Sequence, residues 1–180
     1  LHSAGLRSDG SLALWGNNQW GQTSSPATNS GFTAIACGYY HTLALREDGS
    51  IEAFGLNSDG SCDVPSPNSG FIAIRAGGFT SAAVRSNGTL VVWGRNDYEQ
   101  QDIPEITGAI LDVALATGNI LVIREKAIHV NSLAAPGGDG KSWATAYQHL
   151  QDALAVATAG DQIYVAEGTY KPDEGAGLTD

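Results

Sequence analysis

Methionine is missing from all 180 residues, cysteine occurs only at Cys37 and Cys62, and no lysine stands before Lys126. Each shortage removes a class of protein. Two cysteines do not build a disulfide scaffold. Nine Lys plus Arg against nineteen Asp plus Glu, a formal −10, leave no basic surface to neutralise phosphates, so nucleic acid is not an expected partner. Apolar runs such as Ala153 to Ala157 fall far short of the ~18 residues that a bilayer span requires, and no membrane insertion is expected. The chain opens with neither methionine nor a charged and apolar leader, and reads as a section of something larger. What is plentiful is glycine, 23 residues in a composition 42% hydrophobic and 16% charged. That is a turn-rich globular chain.

One period organises the first two thirds. Arg7, Arg46, Arg85 and Arg124 stand 39 residues apart. The same step links Gly16, Gly55 and Gly94; Asn18, Asn57 and Asn96; Pro26, Pro65 and Pro104; and the apolar pairs Phe32/Ile35, Phe71/Ile74 and Ile110/Val113. Several ladders sharing one ungapped spacing mean a single supersecondary unit, copied.

Within the unit the pattern is of short strands. His41 to Arg46 alternates, Asp48-Gly49 turns the chain, and Ser50 to Phe54 alternates again. Asp9-Gly10 and Asn87-Gly88 fall at the same point, and such dipeptides predict a two-residue hairpin turn with both central residues at positive φ. A further strand precedes each hairpin at Phe32 to Cys37, Phe71 to Ala76 and Ile110 to Leu115, and a fourth is expected in the looser stretch before each repeated proline. The expected fold is all-β: a partial β-propeller of three four-stranded blades over residues 1–126, with Asn119 to Arg124 opening a fourth.

The run Gly38 to Gly49 followed by Phe54-Gly55, and His2 to Gly16 continuing through Asn17-Asn18 to Trp20-Gly21-Gln22, resembles the regulator of chromosome condensation repeat. The resemblance covers residues 1 to about 125 and implies propeller blades, about four to eight of which close a ring. Thr80 stands where the repeat has His, and Glu125-Lys126 replaces the turn dipeptide of the next unit. That family includes an extracellular propeller that inhibits β-lactamases through one of its faces, so the resemblance also implies recognition without catalysis.

Residues 127–180 change period. Ile128-His129-Val130 reads as a strand and Pro136 to Gly140 as a loop. Ser142 is placed to cap a helix along which Trp143, Tyr147, Leu150, Leu154 and Ala157 recur before Gly160. Gln162 to Ala166 reads as a second strand, with Gly168 to Pro172 turning away from it. This combination resembles the opening of right-handed parallel β-helix proteins, in which a helix plugs the first coil. The pairing of the two architectures resembles large secreted or cell-surface proteins of bacteria.

Chemistry-bearing residues are few. His2 and His41 repeat with the unit and no Ser or Cys partner recurs with them, so they read as structural. His149 has no second ligand at i+4. The arginine ladder points to a blade-to-blade hydrogen bond or salt bridge, and Trp15, Phe54 and Trp93 to blade core. Asp59, Asp63, Asp97, Glu99 and Asp139 match no calcium loop, and neither metal nor cofactor is expected. For Cys37 and Cys62 a disulfide and simple burial are both open. Trp20 and Tyr98 occupy one variable loop position, while Tyr39 and Tyr40 pair beside a turn. Aromatic residues on loops are the usual anchors of an interface. The expected function is non-catalytic binding of a protein or glycan through Trp20, Tyr98, Tyr39 and Tyr40, with open blade edges inviting self-association. The alternative is the accessory region of a polysaccharide-cleaving β-helix enzyme.

Overall fold

The structure, a computed structural model, describes residues 1–104, 106, 110–124, 127–157 and 161–166. The chain forms two compact units, Leu1–Pro104 with Asp112–Val122, and Glu105–Leu111 with Ile123–Asp180. Ten strands precede the second unit's own elements: β1 (His2–Leu6), β2 (Leu12–Gly16), β3 (Phe32–Cys37), β4 (His41–Arg46), β5 (Ile51–Gly55), β6 (Phe71–Gly77), β7 (Thr80–Arg85), β8 (Leu90–Gly94), β9 (Ile110–Ala116) and β10 (Asn119–Arg124). They assemble into small sheets in sequence order: β1-β2, β3-β4-β5, β6-β7-β8 and β9-β10. The pairings of the first three sheets are antiparallel. Among the described residues, no helix is long and apolar enough to cross a membrane.

The middle strand of each complete sheet is covered on both sides. In β4 the residues His41, Leu43 and Leu45 turn toward the following sheet, where the two leucines join Phe71, Ile74, Ala83 and Trp93 in one core. Thr42 and Ala44 turn the other way, and Ala44 packs with Leu12 and Phe32. A period of two therefore fills two different cores, and each fully buried leucine contributes about 2 kcal/mol. Leu121 occupies the register position of Leu43 and Ala82 but is 63% exposed, against 0% for both.

Each complete sheet has three strands, not the expected four. The stretches before Pro26, Pro65 and Pro104 are turns because side chains satisfy their backbone. Asn18, Asn57 and Asn96 each accept, through Oδ1, the N–H five residues on, at Thr23, Cys62 and Gln101 (2.8 Å in each case). With those donors taken locally, no ladder is needed. This gives the asparagine ladder its physical meaning.

The hairpins also differ from expectation. Only the glycine of each pair, Gly10, Gly49 and Gly88, has positive φ. Gly49 N–H bonds Arg46 O at 3.0 Å, Arg46 N–H bonds Ser50 O at 2.8 Å, and Asp48 accepts both the N–H and the hydroxyl of Ser50. This is the three-residue loop in which a turn is followed by a left-handed residue. Asp48 serves as an acceptor and is not itself forced to positive φ. Gly49 is also needed for space, since a Cβ there would lie 2.9 Å from Gly70 N.

The second unit holds β11 (Ala127–Val130), α1 (Leu150–Val156) and β12 (Gln162–Val165), with β11 parallel to β12 and Ile128, Val130 and Ala153 as its core. The helix is shorter than the apolar spacing predicts. Tyr147 is drawn into extended pairing with β11: its N–H bonds His129 O and its carbonyl accepts Asn131 N–H, both at 2.8 Å. Ser142 accordingly caps a short turn, its hydroxyl accepting Thr145 N–H, and His149 precedes the helix without a side-chain cap. Gly160, the Glu125-Lys126 pair and the turn at Gly168 to Pro172 lie outside the described residues.

Candidate functional site: an aromatic rim

Because each three-stranded sheet runs first strand, second strand, third strand, one end collects the loops after the first and third strands. The other end collects the hairpins. The first rim therefore gathers residues 38–40, 78–79 and 117–118 with the post-strand loops 17–25, 56–64 and 95–103, tied together by Leu56 N–H to Tyr40 O and Arg95 N–H to Phe79 O (2.8 and 3.1 Å). Gly55 and Gly94 make this closure possible. Both have positive φ, and a Cβ would overlap Tyr40 O in one case and come within 2.5 Å of Phe79 O in the other.

Tyr39, Tyr40 and Phe79 form a triangle of rings with centroids 5.7 to 6.3 Å apart. Tyr39 Oη shares a 2.6 Å hydrogen bond with Thr117 Oγ1. Tyr98 lies over the adjacent Gly118, where a Cβ would meet its ring at 3.2 Å. Arg95 stands 5.4 Å from the Phe79 centroid and donates to Asp97. That bond, the charge of Asp97 and the further charge of Asp59 hold the guanidinium above its ordinary range. Tyr39 is 42% exposed and Tyr98 72%. Of the four residues singled out from the sequence, the structure packs Tyr39 and Tyr40 against each other, and it sets Tyr98 over Gly118, the neighbour of the Thr117 that Tyr39 bonds. Trp20, 47% exposed, lies on the same rim but shares no ring contact with them among the described residues.

Just beneath this rim run two equivalent relays. His2 Nε2 meets Thr42 Oγ1 at 2.7 Å, and Thr42 donates to Gln22 O; His41 Nε2 meets Ser81 Oγ at 2.9 Å, and Ser81 donates to Ser61 O. Since each hydroxyl spends its proton on a carbonyl, each imidazole is the donor. His41 is thus no base toward Ser81, and both are sealed, 1% and 0% exposed. Burial, followed by the charge of His2, pulls the His41 pKa down to about 4. The structural reading of these histidines stands, with partners that the sequence did not name.

The profile of the Regulator of chromosome condensation (RCC1) repeat matches residues 32–61 and 71–100. Those two stretches are RCC1 repeats. Its fold is similar to Prp20p from Saccharomyces cerevisiae (20% identity, TM-score 0.56, 66% of this chain and 40% of that one). It is also similar to human WBSCR16 (18%, 0.54, 88% and 52%) and to the CRINKLY WD40 ectodomain of the Arabidopsis thaliana receptor kinase ACR4 (25%, 0.52, 63% and 40%). The chain therefore spans about two fifths to one half of these relatives' length. No curated protein sequence matches it. The small antiparallel sheets are consistent with partial blades of an RCC1-type propeller.

Three details of the RCC1 repeat depart from the sequence reading. Arg46 and Arg85 do not bridge blades through a salt link. Each lies over the phenylalanine of its own sheet, Phe32 or Phe71 (4.2 and 4.1 Å), and donates to carbonyls of the connector leading into it: Thr28 and Ser30, or Pro67 and Ser69. The blade-to-blade polar staple is instead Asn29 on Leu12 and Asn68 on Ile51, each bonding both N–H and C=O of the neighbouring edge strand. Their spacing of 39 was the available signal, as it was for Phe79 opposite Tyr40. Third, only Trp93 is fully core, 5% exposed with its indole N–H on Ser61 O, whereas Trp15 is 56% exposed. Both cysteines are free thiols, and burial, with the charge of Asp63 second, pushes Cys62 up to about 11.

Proposed function

We propose that the RCC1 repeats form a non-catalytic binding module that docks a protein or glycan on the aromatic rim, and that it acts outside the cell or at its surface. The observation that carries this reading is the gathering of Tyr39, Tyr40, Phe79 and Tyr98 at one end, with Tyr98 and Tyr39 left open to solvent. Rings on rigidly anchored loops bury much area at small entropic cost. Catalysis has no comparable support, since the one Ser-His contact among the described residues is inaccessible and polarised away from nucleophile activation. The test is binding of the chain to panels of immobilised glycans and surface proteins, repeated with Trp20→Ala and Tyr98→Ala combined. Loss of at least tenfold affinity for a captured partner, at unchanged melting temperature, is expected. Unchanged affinity defeats the rim.

The parallel pairing of β11 with β12 on either side of α1 favours a second reading for the other unit, as the capped start of a right-handed parallel β-helix. On that reading the repeats are accessory to a polysaccharide-cleaving enzyme. Release of reducing ends from a polysaccharide panel by this chain would replace the binding assignment.

A further inference from the structure

The rim has a charge as well as a texture. Its post-strand loops carry Asp59, Asp63, Asp97, Glu99 and Asp102 against a single cation, Arg95. That cation is already committed to Asp97 and to the face of Phe79. Arg95 is also an internal precedent, a guanidinium held between a ring face and a carboxylate at this very surface. One of the acids is placed at a conformational cost. Gly21 and Gly60 hold positive φ at one repeat position, and Glu99, their equivalent in the next repeat, has φ 59, the only non-glycine residue with positive φ among those described. A left-handed glutamate costs about 1 kcal/mol or more relative to glycine, and it sets a carboxylate beside Tyr98.

Resting on the docking role of this rim, we infer that its partner is a protein presenting a basic segment, whose lysine or arginine side chains lie across Tyr39 and Tyr98 and pair with Asp59, Glu99 and Asp102. Electron-rich ring faces and carboxylates attract the same ligand charge, so the two features of the rim select one chemistry. An anionic glycan meets repulsion from the same loops, and a neutral one offers no charge to Asp59, Glu99 and Asp102, whereas Asp97 and Asp63 are already held by Arg95 and Asn57.

The experiment measures binding of a fluorescein-labelled nonapeptide of alternating lysine and glycine, its fully lysine-acetylated form, an acidic peptide and a neutral glycan panel to the chain. Two triple variants remove equal charge at opposite ends: Asp59→Asn, Glu99→Gln and Asp102→Asn on the rim, and Asp9→Asn, Glu47→Gln and Asp48→Asn at the hairpins. Asp97 is kept so that Arg95 stays paired. The inference requires the basic peptide to bind, to weaken as salt rises, to lose tenfold or more affinity in the rim variant and less than twofold in the hairpin variant, and its acetylated form not to bind. Equal weakening by both variants, or equal binding of the acetylated peptide, overturns it. If Tyr39→Ala with Tyr98→Ala abolishes capture of a neutral glycan or the acidic peptide, the rim is a docking site and only the basic partner is wrong. If those substitutions change no binding at all, both readings fall.

Discussion

The two ends of the repeat unit are built from the same period and have opposite chemistry. At the hairpin end, Arg46 and Arg85 are spent on carbonyls and phenylalanine faces within the fold, Arg46 also pairs with Glu52 of its own sheet, and with Arg7 these arginines stand three against the four carboxylates of Asp9, Glu47, Asp48 and Glu52. At the other end the rings are left open and the carboxylates outnumber the one cation. An end whose polar groups are consumed internally holds the blades together. An end that leaves rings and like charges facing water does so at some cost to stability, and that cost is what points to a partner.

The comparison breaks most visibly with pH. His41, sealed between blades with its pKa near 4 against 6.5 ordinarily, is neutral when folded, and the unfolded chain binds the extra proton. Stability is therefore complete above pH 6.5 and is lost as pH falls toward 4, by about 3 kcal/mol over that window. Burial lowers His2 in the same direction. Urea unfolding at pH 7 and 4.5 measures the loss, and His41→Gln is expected to flatten the slope. Next in size is Arg85→Ala at the hairpin end, which removes two charge-assisted bonds and a cation–ring contact and is expected to destabilise by about 2 kcal/mol, read as a lower urea midpoint at unchanged m-value. Asn68→Ala, which unfastens one blade from the next, is expected to cost about 1 to 2 kcal/mol because Ile51 loses both partners. Smallest is Tyr98→Ala on the open rim, expected to change stability by less than about 0.5 kcal/mol. If calorimetry shows Tyr98→Ala costing as much as Arg85→Ala, the two ends are alike and the contrast is wrong.

The period of 39 made blades, hairpins and the location of the rim legible, because spacing alone decides which residues share a place. What it did not reveal was direction. Arg46 reads identically whether it reaches to a neighbouring blade or back to its own connector, and only the path of residues 28–30 past its guanidinium decides. The fourth strand failed for a related reason: Asn18 is as compatible with an edge strand as with a local turn, until its carbonyl is found on Thr23 N–H. Asp48-Gly49 predicted a hairpin correctly and its inner geometry incorrectly, since Asp48 is a turn acceptor here and not a left-handed residue. In the second unit the apolar spacing from Trp143 to Ala157 is genuine, yet Tyr147 gains more from β11 than from helix.

The imidazole relays make the repeats non-interchangeable. Thr42 and Ser81 each answer a histidine from the blade before, but the next position in that series is Ile120, and Thr80, standing where His2 and His41 stand, turns back to Arg95 O at 3.3 Å instead. A chain with its second and third repeats exchanged would keep every hydrophobic contact type and still set one imidazole donor facing a side chain unable to receive it. The order of the copies is thus written in their buried polar atoms, so shuffled arrays pack by shape while betraying the mistake in a single orphaned proton.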